Sequence, residues 1–496
     1  MSGVRVQFDN PPSFYTNLDF ITGKVILVLT KDENVSGIHV KLEGESTTRL
    51  LRPYQRYPGQ VDPRASQRQT VVLENHKILY RVQQVFPQQG PAIGPSYTLR
   101  AGKHEYPFKF KIPINSGCWD PASQQMGPGS GFGGLGLSGL QQLQYRHVKK
   151  TLPPSLTGFP GEAEIRYYVK VTVQRPSLFK ENRRAAIGFK FLPIEPPRPP
   201  ATANEVYARR PFSFQAGLAG YARKASLFKK NAPPLSDTAP QGEVDARLPN
   251  PAILTCHETL PLRILVRKMN ESPEQTFLMS LQIRLFGYTE VRAFDVIRTE
   301  MNNWVLASVS DLAIPIGTPN DKIRTETVVD NLIWKNITLP NTVAPSFQTC
   351  NLTRKYELEV QVGFGYGTPG HIQPQIINLP LRFQVNIFSG IRPPAALVNA
   401  MANRPPGPAS PTPAQPSAPN APTYDPLYPP QLGAAGAPAA DDAPPSYEDA
   451  IAEDITVSDG PRREYSGVTD ENAPTIDEKT SSLPSYSARP GEKNPR

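Results

Sequence analysis

From Ile38 to Glu43 the side chains alternate strictly, with Ile38, Val40 and Leu42 apolar and His39, Lys41 and Glu43 polar. A two-residue period of this kind buries one face of a strand and wets the other. The same pattern opens the chain, where Val4, Val6 and Phe8 oppose Arg5 and Gln7 until Asn10-Pro11-Pro12 ends the run. Gly23 to Leu29 is continuously apolar after Lys24, as befits a strand inside a sandwich, and Lys31-Asp32-Glu33-Asn34 supplies the turn that follows. Gly102 to Pro113 places Tyr106, Phe108, Phe110 and Ile112 on one face, and Ile165 to Val173 is a further strand that Pro176 closes. A strand also resumes at Gln69 to Leu73, and Phe189 to Leu192 reads as one more. Short strands between turn signals, with no amphipathic helices among them, predict an all-β chain of antiparallel sandwiches.

The pattern recurs in a second block, through Leu260 to Val266, Phe277 to Phe286, Tyr356 to Val362 and Leu379 to Ile387. Two sandwiches are therefore expected, over residues 1–193 and 251–391. Residues 120–144, rich in Gly, Gln and Ser, read as a surface loop of the first. The span 194–250 reads as a basic linker or long loop, with Pro193 to Pro200 at its start and the clusters Arg209-Arg210, Arg223-Lys224 and Lys229-Lys230 within it. From residue 392 the composition changes again. Proline accounts for 19 of residues 401–496, with alanine and serine filling much of the rest, which predicts a disordered proline-rich tail over 392–496.

Charge divides along the same line. Residues 401–496 carry 7 Lys and Arg against 14 Asp and Glu, so a tail of −7 follows a body of +16. A basic body invites anionic partners, either acidic cytoplasmic tails of membrane proteins or an anionic membrane surface. The chain lacks the helix-turn-helix, finger and basic-aromatic signatures of nucleic-acid binding, so no nucleic acid is expected. No apolar run approaches the roughly 18 residues of a membrane span, and the first residues show no secretory signal. A cytoplasmic protein, recruited peripherally to membranes, is the expectation.

Cys118, Cys256 and Cys350 are too widely spaced to read as a disulfide framework or a zinc cluster, and the six histidines stand singly. Cys256 and His257 adjoin along an expected strand, which would point their side chains to opposite faces. With neither paired carboxylates nor a nucleophile beside a base, no catalytic residue, metal or cofactor is predicted, and the chain reads as no enzyme.

The tail carries the clearest motif, Pro444-Pro445-Ser446-Tyr447. Adjacent prolines hold a polyproline II ridge that fits between the aromatic rings of a WW domain, and Tyr447 falls about one polyproline turn beyond Pro444 to fill a second pocket. Leu483-Pro484-Ser485-Tyr486 is a close variant, 39 positions further on from tyrosine to tyrosine. Pro422 with Tyr424, and Pro426 with Tyr428, are weaker copies. Two such motifs on one chain permit bivalent capture by tandem WW domains. Glu448 to Ala452 would form a helical turn against the same partner. In the basic span, Arg223-Lys224-Ala225-Ser226 has the form of a basophilic kinase site, with Ser226 as acceptor. The sequons at Asn336 and Asn351 would remain bare in a cytosolic protein.

Taken in order, the Gly23-Lys24-Val25 strand, Gly102 to Pro113, Leu152-Pro153-Pro154-Ser155 and the Ile165 to Val173 strand resemble the first half of the arrestin-related trafficking adaptors, or α-arrestins. Thr338-Leu339-Pro340, Pro345-Ser346-Phe347 and Lys355 to Val360 resemble the C-terminal arrestin domain, and the terminal PPxY completes the likeness. The resemblance implies two arrestin-type sandwiches that recognise plasma-membrane transporters or receptors. It also implies that Pro444, Pro445 and Tyr447, with Leu483, Pro484 and Tyr486 as a second site, recruit a WW-domain HECT ubiquitin ligase. Cargo would then be ubiquitinated and internalised, and ubiquitin would usually be attached to the adaptor itself. The alternative is an arrestin-fold sorting scaffold at plasma membrane or endosomes, without a ubiquitination role.

Overall fold

A computed structural model describes residues 3–52, 70–88, 96–115, 118, 150–159, 161–176, 181–200, 202–215, 239–373, 375–402, 452 and 455. Its first sandwich has a three-stranded sheet, in the order β1 (Gly3–Phe8), β2 (Phe20–Leu29) and β7 (Gly102–Lys111). The facing sheet runs β10 (Arg183–Phe189), β9 (Ala163–Gln174), β4 (Gly37–Arg52) and β5 (Thr70–Phe86), with β8 (Leu156–Phe159) paired to β9. Two short strands, β3 (Glu33–Val35) and β6 (Tyr97–Leu99), form a separate ribbon. These strands pair antiparallel. Val25 and Leu27 from one sheet meet Val40, Leu42, Val169 and Val171 from the other, so the alternating positions close a single core. Buried Tyr167 lies beside Phe191, and its hydroxyl donates to the Pro153 carbonyl over 2.6 Å, which pins the Leu152 to Ser155 stretch to the sandwich.

The second sandwich sets a four-stranded sheet, β11 (Glu205–Ser213), β12 (Gln241–Pro249), β14 (Arg263–Lys268) and β18 (Glu326–Val328), against an eight-stranded one. The larger sheet is built on β22 (Ile377–Phe388), β20 (Leu352–Thr368), β15 (Gln275–Ala293) and β16 (Val296–Val309). β13 (Ile253–Thr255) joins β22 in parallel, and β17 (Ile314–Ile316), β19 (Phe347–Gln348) and β21 (His371–Ile372) add short pairings. Val244, Ile264, Leu285, Leu358 and Leu381 belong to its core. Buried Arg354 lies over the rings of Trp304 and Tyr356 and donates to Thr289 and Asn302.

Three expectations change. The span 194–250 is not only linker: β11 and β12 fall inside it and belong to the second sandwich. Their charges mislead because Arg209, on β11, spends its guanidinium on Asp245 of β12 through contacts of 2.6 and 2.8 Å. Phe189 ends β10 instead of beginning a strand, and Phe191 makes only a single bridge to Tyr15. The residues after 392 include a helix, α1 (Ala395–Ala402), where Ala, Leu and Met follow Pro393-Pro394. Proline tolerates the first turn and these residues favour the interior, so local propensity builds α1 in a proline-rich setting.

The two sandwiches share a wall. Val291 and Ala293 at the end of β15, with Ala344 and Leu352, belong to the apolar core of the first sandwich. The tip of the β15–β16 hairpin therefore packs against β4 and β5. No helix among the described residues is long and apolar enough to cross a membrane.

Candidate functional site

Pro444, Pro445, Tyr447, Leu483, Pro484 and Tyr486 lie outside the described residues, as do Pro422, Tyr424, Pro426, Tyr428, Ser226 and the 120–144 loop. What the structure does place is the point where the tail returns to the body. Ala452, five positions beyond Tyr447, is 1% exposed. It packs with Leu18, Ile194 and Leu397, bordered by Ile114, Ile391, Met401 and Ile455. Lys111, the last residue of β7, donates from Nζ to the Ala452 carbonyl at 2.6 Å and to the Ile455 carbonyl at 2.7 Å. The Ile455 amide in turn donates to the Ala452 carbonyl at 3.1 Å.

The anchor therefore has two physical parts. Small, apolar Ala452 fills a pocket that α1 helps to wall, and a lysine donates to two carbonyls beside it, where burial without a donor would be costly. The sequence expectation sets Ala452 against the same partner as the PPxY; the structure turns it onto the protein's own first sandwich. The apolar signal is present in Ala450-Ile451-Ala452, but local pattern does not say which surface receives it.

A second polar constellation joins the sandwiches. Asn351, 1% exposed, donates from Nδ2 to the Ser46 carbonyl at 3.0 Å and to Thr48 Oγ1 at 3.2 Å. Its Oδ1 accepts from Ser46 Oγ at 2.7 Å and from Thr349 Oγ1 at 3.1 Å. Thr48 Oγ1 donates to the Arg292 carbonyl at 2.5 Å, and Glu74 accepts the Phe294 amide at 2.5 Å. Arg298 reaches Glu162 at 2.9 Å, and Arg52 pairs with Asp295. Because these groups find their partners across the seam, it fixes orientation as well as proximity.

Beside this seam, Glu74 and His76 of β5 meet Cys118 and Cys350. His76 Nε2 lies 2.5 Å from Glu74 Oε1, its Nδ1 lies 3.3 Å from Cys118 Sγ, and the two sulfurs are 3.5 Å apart. Burial pushes the Glu74 carboxyl up, but hydrogen bonds from His76 and the Phe294 amide, with the charge of Arg292, outweigh it and hold the group below its ordinary range. Positions 76, 118 and 350 share no local spacing, which is why the sequence does not signal the cluster.

Cys256 and His257 do not share a strand. Strand β13 ends at Thr255, and His257 takes a φ of 62°, so strand alternation does not describe them. Cys256 Sγ donates to the Val343 carbonyl at 3.2 Å, and burial pushes its thiol up to about 12, which makes it a poor nucleophile at neutral pH.

Comparison with known proteins gives the same reading of residues 4–125. Residues 4–125 match the family described as Arrestin (or S-antigen), N-terminal domain. Two curated relatives, both named Arrestin-related trafficking adapter 10, come from Eremothecium gossypii and Lachancea thermotolerans. The first is 27% identical over 149 residues, covering 29% of this chain and 32% of the relative. The second is 30% identical over 126 residues, covering 23% of this chain and 28% of the relative. The matched region thus spans about a third or less of those relatives' length. The first sandwich thus contains a match to the arrestin N-terminal domain, and the chain is similar to arrestin-related trafficking adapters over 29% and 23% of its length.

Proposed function

We propose that the chain is a non-enzymatic adaptor that holds membrane cargo on its arrestin body and presents PPxY-type motifs to a WW-domain HECT ubiquitin ligase. The observation that carries this reading is the tail anchor. Ala452 lies five positions beyond Tyr447, and an extended chain covers at most about 3.6 Å per residue, so the motif is tethered within about 18 Å of a fixed point on the first sandwich. A ligase captured there is held beside whatever the body binds, which raises the effective concentration of its target lysines.

The other parts fit this role. Pro444, Pro445 and Tyr447 give the primary WW ligand, and Leu483, Pro484 and Tyr486 give a second point of attachment for tandem WW domains. A body of +16 favours acidic cytoplasmic segments of transporters or receptors and anionic lipid beside them, consistent with a cytoplasmic protein recruited peripherally to plasma membrane or endosomes. The relatives' name, trafficking adapter, supports the same assignment.

The test is reconstituted ubiquitination of the full chain by a HECT ligase bearing tandem WW domains. Lysine modification of the adaptor is expected, and Tyr447→Ala together with Tyr486→Ala should abolish it. Modification that persists in the double variant would reject the motif's role and leave an arrestin-fold sorting scaffold.

A further inference from the structure

We propose that His76, Cys118 and Cys350 form a binding site for a divalent d-block cation, zinc above others, that staples the two sandwiches together. The three side chains come from separate parts of the chain, two from the first sandwich and one from the turn before β20 in the second. Their ligand atoms, Nδ1 and two Sγ, lie within 4.8 Å of one another. This is the only such group of three among the described residues.

The spacing fits a shared ion better than a covalent link. Bond lengths of about 2.3 Å to sulfur and about 2.0 Å to nitrogen place donors of a tetrahedral zinc about 3.5 Å apart for N and S and about 3.8 Å apart for S and S. The observed separations are 3.3 and 3.5 Å. A disulfide would require the sulfurs at about 2.05 Å. Thiolate sulfur with imidazole nitrogen is also the donor set that borderline-soft zinc prefers, whereas calcium and magnesium take oxygen.

The surroundings prepare the ring for this task. Glu74 Oε1 lies 2.5 Å from His76 Nε2 and so orients the ring with Nδ1 facing the sulfurs. This carboxylate–histidine arrangement is the outer support that orients and strengthens histidine ligands of zinc. Glu74 is fixed in turn by the Phe294 amide at 2.5 Å and by Arg292 at 3.7 Å, and Arg292 also donates to the Cys350 carbonyl. Two thiolates neutralise the ion, and Arg292 balances Glu74, so the half-buried site carries no uncompensated charge. The described residues supply three of the four donors that a tetrahedral zinc takes. Binding releases the two thiol protons to solvent and involves no change of oxidation state.

The site is tested on the full-length, reduced chain, stripped with a chelator and titrated with Zn²⁺ against a chromophoric indicator. One zinc per chain is expected, at sub-micromolar affinity. Co²⁺ in its place should give thiolate charge-transfer and tetrahedral d–d absorption. Cys118→Ser, Cys350→Ser and His76→Gln should each weaken binding at least about 100-fold, Glu74→Gln about 10- to 100-fold, and Cys256→Ser should leave it unchanged. Should a variant fail to fold, alkylation and peptide mapping of the unmodified chain decides the matter. Zinc must protect Cys118 and Cys350, and chelation must expose them. Absence of stoichiometric metal overturns the proposal, as does binding that survives loss of both cysteines. So does a reduced chain that takes up no zinc and instead oxidises to a chelator-insensitive Cys118–Cys350 disulfide.

Discussion

Asn351 of the second sandwich and Ser46 of the first are joined twice: Nδ2 donates to the Ser46 carbonyl at 3.0 Å, and Oδ1 accepts the Ser46 hydroxyl at 2.7 Å. The two residues stand 305 positions apart, yet one amide side chain meets a backbone acceptor and a hydroxyl donor of the same partner. That reciprocity makes the seam between the sandwiches selective for one relative orientation. It also buries the sequon asparagine, so the Asn351 side chain is closed to modification in the folded protein.

Asn351→Ala removes both bonds and strands buried Ser46, Thr48 and Thr349 groups. The expected cost is about 2 kcal/mol, the desolvation left when one partner of a buried network is deleted. Urea unfolding should show a lower midpoint for the variant, and ion pairs across the seam, such as Arg298 with Glu162, should not restore it, because they lie in reach of solvent. An unchanged midpoint would mean that the seam contributes nothing to stability.

Much of this body is legible in the sequence, and the boundary of legibility is physical. Alternation reports which face of a strand is buried, so Val4 to Phe8, Gly102 to Pro113 and Ile165 to Val173 declare themselves as strands through pattern alone. Strand β11 escapes because Arg209 and Arg210 look like solvated charge, while Asp245 36 residues later supplies the partner. Neither the Asn351–Ser46 link nor the meeting of His76 with Cys118 and Cys350 has a local signature, since topology alone brings such distant positions together. The docking of Ala452 is hidden for the same reason: a short apolar stretch shows that something will cover it, not what. The PPxY motif is the opposite case, because its recognition depends on a few consecutive residues.

Acid should weaken the second sandwich through Glu359. This carboxylate, 1% exposed, is held between Arg284 and Arg382, the latter donating from Nε at 2.7 Å. Burial raises its proton affinity, but hydrogen bonds and charge from the two arginines prevail and hold it below its ordinary range. The folded state therefore binds this proton less readily than the unfolded chain, whose glutamates titrate near about 4.3. The stabilisation is complete above that value and is lost as pH falls through the lower, folded one. Urea midpoints should stay level from neutral pH to about pH 5 and drop below it. Glu359→Gln should be less stable at neutral pH and lose less on acidification; a parallel curve would contradict this origin of the slope.

Undocking the tail requires only one added charge. Ala452→Asp places a carboxylate among Leu18, Ile194 and Leu397, and Lys111 can meet that charge only by leaving the Ala452 and Ile455 carbonyls that it holds. Hydrogen–deuterium exchange of the peptide containing Ile455 should accelerate about 10-fold or more, because its amide bond to the Ala452 carbonyl opens with the anchor. Exchange across β4 and β9 should be unaffected. Unchanged exchange at Ile455 would contradict the anchor.

A tail that acts as a bivalent ligand for WW domains is tested most directly by the affinity of the full chain for tandem WW domains of a HECT ligase. Micromolar or tighter binding is expected, weakened by Tyr447→Ala, weakened less by Tyr486→Ala, and lost when both are changed. Binding indifferent to both tyrosines, or no binding by the unmodified chain, would contradict the adaptor role assigned to this arrestin-fold body.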